Sequence, residues 1–226
     1  MICIIQARTS SRRLPKKVLK KIYNKSILER VVNRIKKSKE IKKIIVATST
    51  LSNDDNIIRF CKKNKILYYR SNLNNVFLRF FETIKFYNVK NFVRITADSP
   101  LIDPKIIDKA VKLFKKNKVE IATNTLIRSY PKGQSVEVIN SKIILNNLKN
   151  ISKSKNYREH ITSYFYNNKN KFKIYNFKLK KNLSSINLSI DTQYDFDFVK
   201  KIIRLTDDKH IGLDIIIKTY NKFIKS

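Results

Sequence analysis

Glycine, cysteine and tryptophan are scarce in this chain of 226 residues, which has two glycines, two cysteines and no tryptophan. Two cysteines do not make a disulfide framework, so Cys3 and Cys61 are predicted to be buried thiols in a reducing compartment. The chain starts directly with a strand pattern instead of a signal peptide, and no apolar run approaches the ~20 residues that cross a bilayer. No repeat and no Pro/Gly-rich linker divides it. We therefore expect one cytoplasmic domain over residues 1–226, without membrane insertion.

Acidic residues are also few, and 50 Lys and Arg against 17 Asp and Glu leave a formal net charge of +33. A nucleic-acid-binding protein is one interpretation of this charge, and it would cluster its basic residues with exposed aromatic rings. Here the basic residues are spread along the chain, and 42% of the residues are hydrophobic, as in ordinary globular proteins. We expect a folded protein whose surface attracts anionic nucleotides but recognises no specific nucleic acid.

Short β-branched runs alternate with helical patterns, which predicts an α/β fold with a mainly parallel sheet. The predicted strands are Ile2–Gln6, Lys43–Thr48, Ile66–Arg70, Asn91–Thr96, Glu120–Thr123, Val136–Ile139, Phe172–Phe177 and Ile186–Ile190. The predicted helices are one capped by Ser26, then Asn53–Asn64, Asn75–Tyr87, Lys105–Lys116, Ser141–Leu148, Tyr157–Tyr166, Gln193–Leu205 and 213–224. The alternation weakens after residue 124, so we predict an arm or subdomain within residues 125–185.

A basic loop follows the first strand. Residues 4–19 have the sequence IIQARTSSRRLPKKVL, in which an apolar strand gives way to a Ser/Thr turn and then to clustered Arg and Lys. Open α/β sheets bind ligands at the carboxyl ends of their strands, and such cations suit a polyphosphate. The alternative is a solvated basic loop. Pro15 and the short polar turn favour a site, because they hold the charges together.

Two carboxylates also follow predicted strands, Asp98 after Asn91–Thr96 and Asp191 after Ile186–Ile190. Mg²⁺ prefers hard oxygen ligands and keeps several waters, so one or two carboxylates plus phosphate oxygens can hold it. Each aspartate also has a structural interpretation, Asp98 as a turn residue and Asp191 as a helix cap. The residues alone leave these alternatives open.

The pattern Arg8-x-x-Ser11-x-Arg13-Leu14-Pro15-x-Lys17 resembles the N-terminal signature of the sugar-activating cytidylyltransferases. These include CMP-sialic acid and CMP-3-deoxy-manno-octulosonate synthetases, and the start Ile-Ile-Gln-Ala-Arg is most similar to spore-coat polysaccharide cytidylyltransferase-like proteins. Further segments resemble the family in order: Arg94-Ile-Thr-Ala-Asp98-Ser-Pro-Leu-Ile, Asn74-Asn75-Val-x-x-Arg79, Gly133-x-x-Val-Glu137-Val, Arg158-Glu-His160-Ile-Thr and Ile190-Asp191-Thr-x-x-Asp195. The family usually has Gly at Lys16 and Ala97, often Gly at Ser10, Asp at Asn74 and Asn75, and commonly Arg at Asn187.

The resemblance implies a three-layer α/β/α Rossmann-like nucleotidyltransferase fold of GT-A type, with an inserted dimerisation arm and a homodimer. It implies CMP transfer from CTP to an acidic or modified sugar, with pyrophosphate release, in surface polysaccharide or glycan precursor synthesis. The alternatives are another nucleotide or a non-catalytic relative.

The resemblance also assigns roles to residues. The catalytic residues would be Arg13, Lys17, Asp98 and Asp191, with both aspartates on Mg²⁺ and Asp195 left as a helix cap. The nucleotide-binding residues would be Gln6, Ala7, Arg8, Ser11, Arg13, Lys17, Thr48, Ser49, Arg79 and Asp98. Glu137 and His160 would face the sugar, although a histidine on a helix is more often structural.

Overall fold

A computed structural model describes residues 1–206 and 212–224 of the chain. The strands in these ranges are β1 (Ile2–Gln6), β2 (Lys21–Ile22), β3 (Lys25–Ser26), β4 (Lys43–Ser49), β5 (Leu67–Ser71), β6 (Asn91–Thr96), β7 (Ile121–Thr123), β8 (Glu137–Asn140) and β9 (Ile174–Asn176). The α-helices are α1 (Ile27–Ile35), α2 (Asp55–Lys63), α3 (Val76–Phe86), α4 (Pro104–Asn117), α5 (Ser141–Asn146), α6 (Leu148–Ser152), α7 (Lys155–Glu159), α8 (Ser163–Asn167), α9 (Gln193–Leu205) and α10 (Leu213–Ile224). Within these ranges we find no helix with both the length and the apolar character that a membrane span requires.

The main sheet has the strand order β5-β4-β1-β6-β8-β7-β9. Strands β5, β4, β1 and β6 are mutually parallel, whereas β8 runs antiparallel to both of its neighbours. Gln6 at the end of β1 lies opposite Ala47 of β4 and Thr96 of β6. The loops that follow these three strands therefore leave the sheet at one edge, and the predicted mainly parallel α/β fold is confirmed.

Apolar side chains cover both faces of this sheet, because successive residues of a strand point to opposite sides. Cys3 and Ile5 of β1 belong to a core that includes α1, α4 and α9, and Ile4 belongs to a second core that includes α3, α5 and α8. The three-layer arrangement follows from this alternation. Both cysteines are buried free thiols, as predicted, and burial raises the pKa of Cys61 to about 12.

Three predicted elements differ from the structure. Ile186–Ile190 is not a strand: the segment is extended, but only Asn187 forms a single bridge, to Lys132. Its apolar alternation reflects the burial of every second side chain, not pairing within the sheet. The predicted helices Tyr157–Tyr166 and Ser141–Leu148 are each divided in two, because the backbone leaves the helical conformation near His160 and Asn147.

The segment 125–185 supplies β8 and β9 to the main sheet and α5 to α8 to one of its faces. Buried residues of this segment, such as Ile144 and Phe165, pack in the same core as Phe77 and Phe80 of α3. The arm or subdomain expected here stays a prediction.

Lys118, the C-cap residue that follows α4, adopts a left-handed conformation with φ 48° and ψ 46°. A side chain is disfavoured there, so we expect Lys118→Gly to raise the free energy of unfolding by roughly 0.5–1 kcal/mol. Lys116→Gly, two residues earlier inside the helix, should lower it by a similar amount, about 1 kcal/mol. Urea denaturation of both variants checks this, and a loss of stability in both would contradict it.

Candidate functional site

The loop after β1 folds back on itself around Thr9. The Thr9 carbonyl oxygen accepts hydrogen bonds from the backbone N–H groups of Ser11 and Lys16, both at 2.9 Å. Lys16, where the similar family usually has glycine, takes the left-handed conformation with φ 54° and ψ 23°. A short 3₁₀ helix, Lys17–Leu19, begins at the next residue. The loop thus closes in the shape that the family's glycine would favour, although a lysine occupies the position.

Lys17 joins the loop to two other segments of the chain. Its Nζ donates to Asp98 Oδ2 at 3.2 Å, to Asp191 Oδ1 at 2.8 Å and to the Ile190 carbonyl oxygen at 2.7 Å. An ammonium group has three donors, and all three are used here. The side chain is only 11% exposed. Lys17 therefore directly contacts both aspartates that the family resemblance groups with it as catalytic residues.

The Asp191 carboxylate lies between two cations. Arg13 Nη2 is 3.1 Å from Asp191 Oδ2, on the other oxygen from the one that Lys17 contacts. Burial raises the pKa of Asp191, but the hydrogen bond and charge of Lys17, followed by those of Arg13, outweigh this effect and hold the pKa below its usual value. Asp191 is therefore ionised at neutral pH.

A capping box at the start of α9 leaves Asp191 available for the site. Asp195 accepts from the N–H groups of Asp191 at 3.0 Å and Thr192 at 2.8 Å, and Thr192 Oγ1 accepts from the Asp195 N–H at 3.2 Å. Asn187, where the similar family commonly has arginine, donates to the other Asp195 oxygen at 2.8 Å. The prediction that Asp195 caps the helix is confirmed. Because Asp195 does this, the Asp191 carboxylate can face Lys17.

The backbone just before Asp191 is held on both sides. The Ile190 N–H donates to the Asp98 carbonyl oxygen at 2.9 Å, which ties the segment to the end of β6. On the other side lies Gly133, with φ 86°, and a Cβ at this residue would stand 2.6 Å from the Leu188 carbonyl carbon. Only glycine allows this approach, so Gly133 contributes to the position of Asp191.

Three residues predicted to bind the nucleotide are fully buried. The hydroxyl groups of Thr48 and Ser49 both donate to the Asp54 carboxylate, at 3.0 and 2.5 Å. Arg79 donates to the carbonyl oxygens of Asn72 and Leu73, at 3.0 and 2.8 Å, and burial lowers its pKa to about 10. A nucleotide could touch these side chains only after a rearrangement, and their nucleotide-binding role stays a prediction.

The sugar-side predictions fall on two different kinds of residue. Glu137 is buried, forms an ion pair with Arg94 and accepts from the Tyr166 hydroxyl at 2.5 Å. Arg94 also donates to Gln6 Oε1 at 3.1 Å, which links Glu137 to the end of β1. His160 is exposed at the break between α7 and α8. The structure does not bring these two residues into contact with Lys17, Asp98 or Asp191, and their sugar-binding roles stay predictions.

The sequence analysis missed two contributions to this edge of the sheet, those of Asp54 and the Ile190 carbonyl oxygen. No sequence motif marks a backbone oxygen, and Asp54 was not among the residues predicted for the site. Of the remaining predicted residues, Ala7 is buried, and Arg8 and Ser11 are partly exposed in the first loop. Arg8 Nη2 lies 3.9 Å from Glu159 Oε1.

Glu137 gives a pH-dependent prediction. Burial raises its pKa, but the charge of Arg94 and the hydrogen bond from Tyr166 outweigh this and hold the pKa below its usual value. Such a carboxyl stabilises the fold above its unfolded pKa of about 4.3 and loses this contribution as the pH falls through the folded value. We expect Glu137→Gln to lower the free energy of unfolding by about 3 kcal/mol at neutral pH. As the pH falls, this free energy should decline less steeply in the variant than in the unchanged protein.

Urea denaturation at a series of pH values tests the Glu137 prediction. Glu159→Gln is the control, because Glu159 is half exposed and only weakly paired. It should keep the pH profile of the unchanged protein. If the free energy of unfolding falls equally with acid pH in Glu137→Gln and in the unchanged protein, the Glu137 carboxyl does not cause the loss of stability.

The donor set around Lys17 fits Mg²⁺. Asp98 and Asp191 direct oxygens at one shared cation, the Lys17 ammonium, and carboxylate oxygens are the hard ligands that Mg²⁺ prefers. Over residues 1–206 and 212–224, no group of three or more His, Cys, Asp or Glu side chains could hold a metal ion. At this site the chain would supply the two carboxylates, and phosphate oxygens and water would supply the other ligands.

Comparison with known proteins gives matches over nearly all of the chain. The sequence model of a family described as cytidylyltransferase matches residues 2–222. The uncharacterized protein MJ1063 of Methanocaldococcus jannaschii is 36% identical, over 98% of this chain and 90% of the relative. The spore coat polysaccharide biosynthesis protein SpsF of Bacillus subtilis is 26% identical, over 92% and 88%. A solved cytidylyltransferase structure from Leptospira borgpetersenii superposes with a TM-score of 0.93 at 32% identity, covering 99% of this chain and 95% of that one.

Proposed function

Since the chain belongs to the cytidylyltransferase family, we propose that it transfers CMP from CTP to a sugar and releases pyrophosphate. The family match confirms the resemblance first seen in the loop after β1, and with it a nucleotidyltransferase. The observation that carries the proposal is the contact of Lys17 with both Asp98 and Asp191. This contact supports the proposal, because a cation and two possible metal ligands then lie close to the carboxyl ends of β1 and β6, where open α/β sheets bind ligands.

In the proposed reaction, a sugar oxygen attacks the α-phosphorus of CTP in line. The new bond joins this oxygen to the α-phosphorus, the bond from the α-phosphorus to the bridging oxygen breaks, and the sugar proton passes to water. Such chemistry depends on positioning and charge neutralisation. Arg8, Arg13 and Lys17 would bind the triphosphate, and their positive charge would stabilise the charge that develops on the leaving pyrophosphate.

Asp98 and Asp191 would hold Mg²⁺, which when bound would neutralise phosphate charge and polarise the α-phosphate. Lys17 keeps these carboxylates oriented in the structure, because its ammonium contacts both. We propose that this ammonium turns to a triphosphate oxygen once the nucleotide is present. Arg13, whose side chain is 67% exposed, can move with it at little cost in packing.

The acceptor we propose is an acidic or modified sugar that serves as a precursor of a surface polysaccharide or glycan. The name of the Bacillus subtilis relative refers to spore coat polysaccharide synthesis, which supports this class of acceptor. A homodimer and a cytoplasmic location belong to the same proposal. The second candidate, a non-catalytic relative, is favoured by Asn74 and Asn75, where the similar family has aspartates.

Pyrophosphate release tests the proposed function. The purified chain is incubated with Mg²⁺, a panel of acidic sugars and, in turn, CTP, UTP, ATP or GTP. We expect release with CTP and at least one sugar, at a rate well above that with the other nucleotides. Equal or faster release with another nucleotide would contradict the CTP assignment, and CTP binding without release would favour the non-catalytic relative.

A further inference from the structure

Asp54 is a buried carboxylate at the end of a short 3₁₀ helix, Ser52–Asp54, that precedes α2. It accepts five hydrogen bonds: from Thr9 N–H at 2.8 Å, Thr9 Oγ1 at 2.6 Å, Thr48 Oγ1 at 3.0 Å, Ser49 N–H at 3.1 Å and Ser49 Oγ at 2.5 Å. Burial raises its pKa, but these bonds outweigh the effect and hold the pKa below its usual value. A buried charge persists only when it is satisfied in this way, so the group stays ionised.

The bonds to Thr9 connect Asp54 to the basic loop. The same Thr9 that gives both its N–H and its hydroxyl to Asp54 uses its carbonyl oxygen to close the loop through Ser11 and Lys16. Thr9 therefore connects the fold of the loop to the Asp54 carboxylate. Of the cations proposed to bind the triphosphate, Arg8 directly precedes Thr9, and Arg13 and Lys17 follow it in the same loop.

Resting on the proposed function, we propose that Asp54 is a positioning residue for CMP transfer. It anchors Thr9 to the end of β4 and thereby fixes where the loop presents Arg8, Arg13 and Lys17. Thr48 and Ser49 then act through Asp54, because their hydroxyls donate to its carboxylate.

Asparagine cannot replace this carboxylate. Its side chain has one acceptor oxygen, while its NH₂ group would face donors, and backbone N–H groups cannot reverse their direction. In Asp54→Asn we therefore expect the loop to detach from the end of β4. A misplacement of about 1 Å costs roughly 10²-fold in rate, so kcat/KM should fall by about that factor, with a raised KM for CTP.

Asp108 offers a matched control. Its carboxylate also accepts several bonds, from Ser38 Oγ at 2.5 Å, Glu40 N–H at 3.1 Å and Lys39 N–H at 3.2 Å, but it contacts the chain ahead of β4, at the other end of that strand. Asp108→Asn should lose stability without a change in KM. Thr9→Val and Thr9→Ser form a second pair, because only serine keeps the hydroxyl that donates to Asp54.

The experiment combines kinetics with native-state cleavage by trypsin, mapped by mass spectrometry. Rates are expressed per folded molecule, from the folded fraction measured in the same samples. In Asp54→Asn we expect a raised KM for CTP and at least roughly tenfold faster cleavage after Arg12 or Arg13, because an anchor that costs ~1.4 kcal/mol to lose changes local opening tenfold. Asp108→Asn and Thr9→Ser should show neither effect.

Each outcome decides the inference. If Asp54→Asn and Asp108→Asn have the same KM and the same loop cleavage, the positioning role is overturned. If Asp54→Asn does not fold, Thr9→Val takes its place: a raised KM supports the role, and kinetics equal to those of Thr9→Ser overturn it. Absence of CTP turnover in the unchanged protein overturns the proposed function, whereas the cleavage result still reports whether Asp54 anchors the loop.

Discussion

Replacing Lys17 with alanine is expected to lower the rate of CMP transfer by about 10³-fold, the effect of removing a preorganised charge from such a site. The physical reason is its unique geometry among the described cations of the loop: one ammonium contacts Asp98, Asp191 and the Ile190 carbonyl oxygen. The free energy of unfolding should fall by only about 1–2 kcal/mol, because Arg13 still pairs with Asp191.

Steady-state kinetics and urea denaturation of Lys17→Ala are measured side by side with those of Lys21→Ala. Lys21 is an exposed residue of β2, and its removal changes the net charge equally. The control should keep its rate within about twofold, as expected for a screened surface charge. Full activity in Lys17→Ala would refute the assignment of the loop.

Replacing Gly133 with alanine is expected to damage both stability and catalysis. The added Cβ would stand 2.6 Å from the Leu188 carbonyl carbon and 2.7 Å from the Ser189 nitrogen, at φ 86°. Backbone atoms would have to shift, at a cost of about 3 kcal/mol. Asp191 follows two residues after Ser189, so the transfer rate per folded molecule should also fall, by about 10²-fold.

Gly212→Ala is the control for this substitution. Among the residues that the structure describes, the nearest neighbour of a Cβ at Gly212 would be Asp103 Oδ2 at 3.6 Å, which is ordinary van der Waals contact. Its unfolding free energy should stay within about 0.5 kcal/mol of the unchanged protein. Equal stability of Gly133→Ala and the unchanged protein would show that the segment before Asp191 is not held at Gly133.

Three regular, strongly patterned elements were predictable to the residue. The bounds of β1, β6 and α9 agree with the predictions because their apolar periods and capping residues are local in the sequence. The prediction of a strand at Ile186–Ile190 was wrong, because alternating burial also arises in an extended segment that packs beside a turn. This segment packs beside Lys132 and Gly133. The alternation of apolar residues predicts which side chains are buried, but it does not show whether the segment pairs with a neighbouring strand.

The site was predictable only where a general rule connects distant residues. The rule that parallel strands end at one edge of the sheet connects the loop of Lys17 with Asp98. Asp191 was assigned to the same site by the family resemblance, because Ile186–Ile190 is not a strand of the sheet. No such rule links Asp54 to Thr9, which lies 45 residues earlier in the chain. The burial of Arg79 was equally inaccessible, because its carbonyl partners at Asn72 and Leu73 depend on how the chain turns before α3.

The measurement closest to the central claim is a calorimetric titration with CTP, with and without Mg²⁺, of the unchanged protein, Asp191→Asn and Asp197→Asn. Asp197 lies exposed on α9, the helix that follows Asp191, two residues beyond the Asp195 cap, and accepts a hydrogen bond from Gln193. We predict that Mg²⁺ tightens CTP binding in the unchanged protein and in Asp197→Asn, and that Asp191→Asn binds at least about tenfold more weakly, a loss of ~1.4 kcal/mol. Equal affinity and equal Mg²⁺ dependence in all three proteins would contradict a nucleotide site built from Lys17, Asp98 and Asp191.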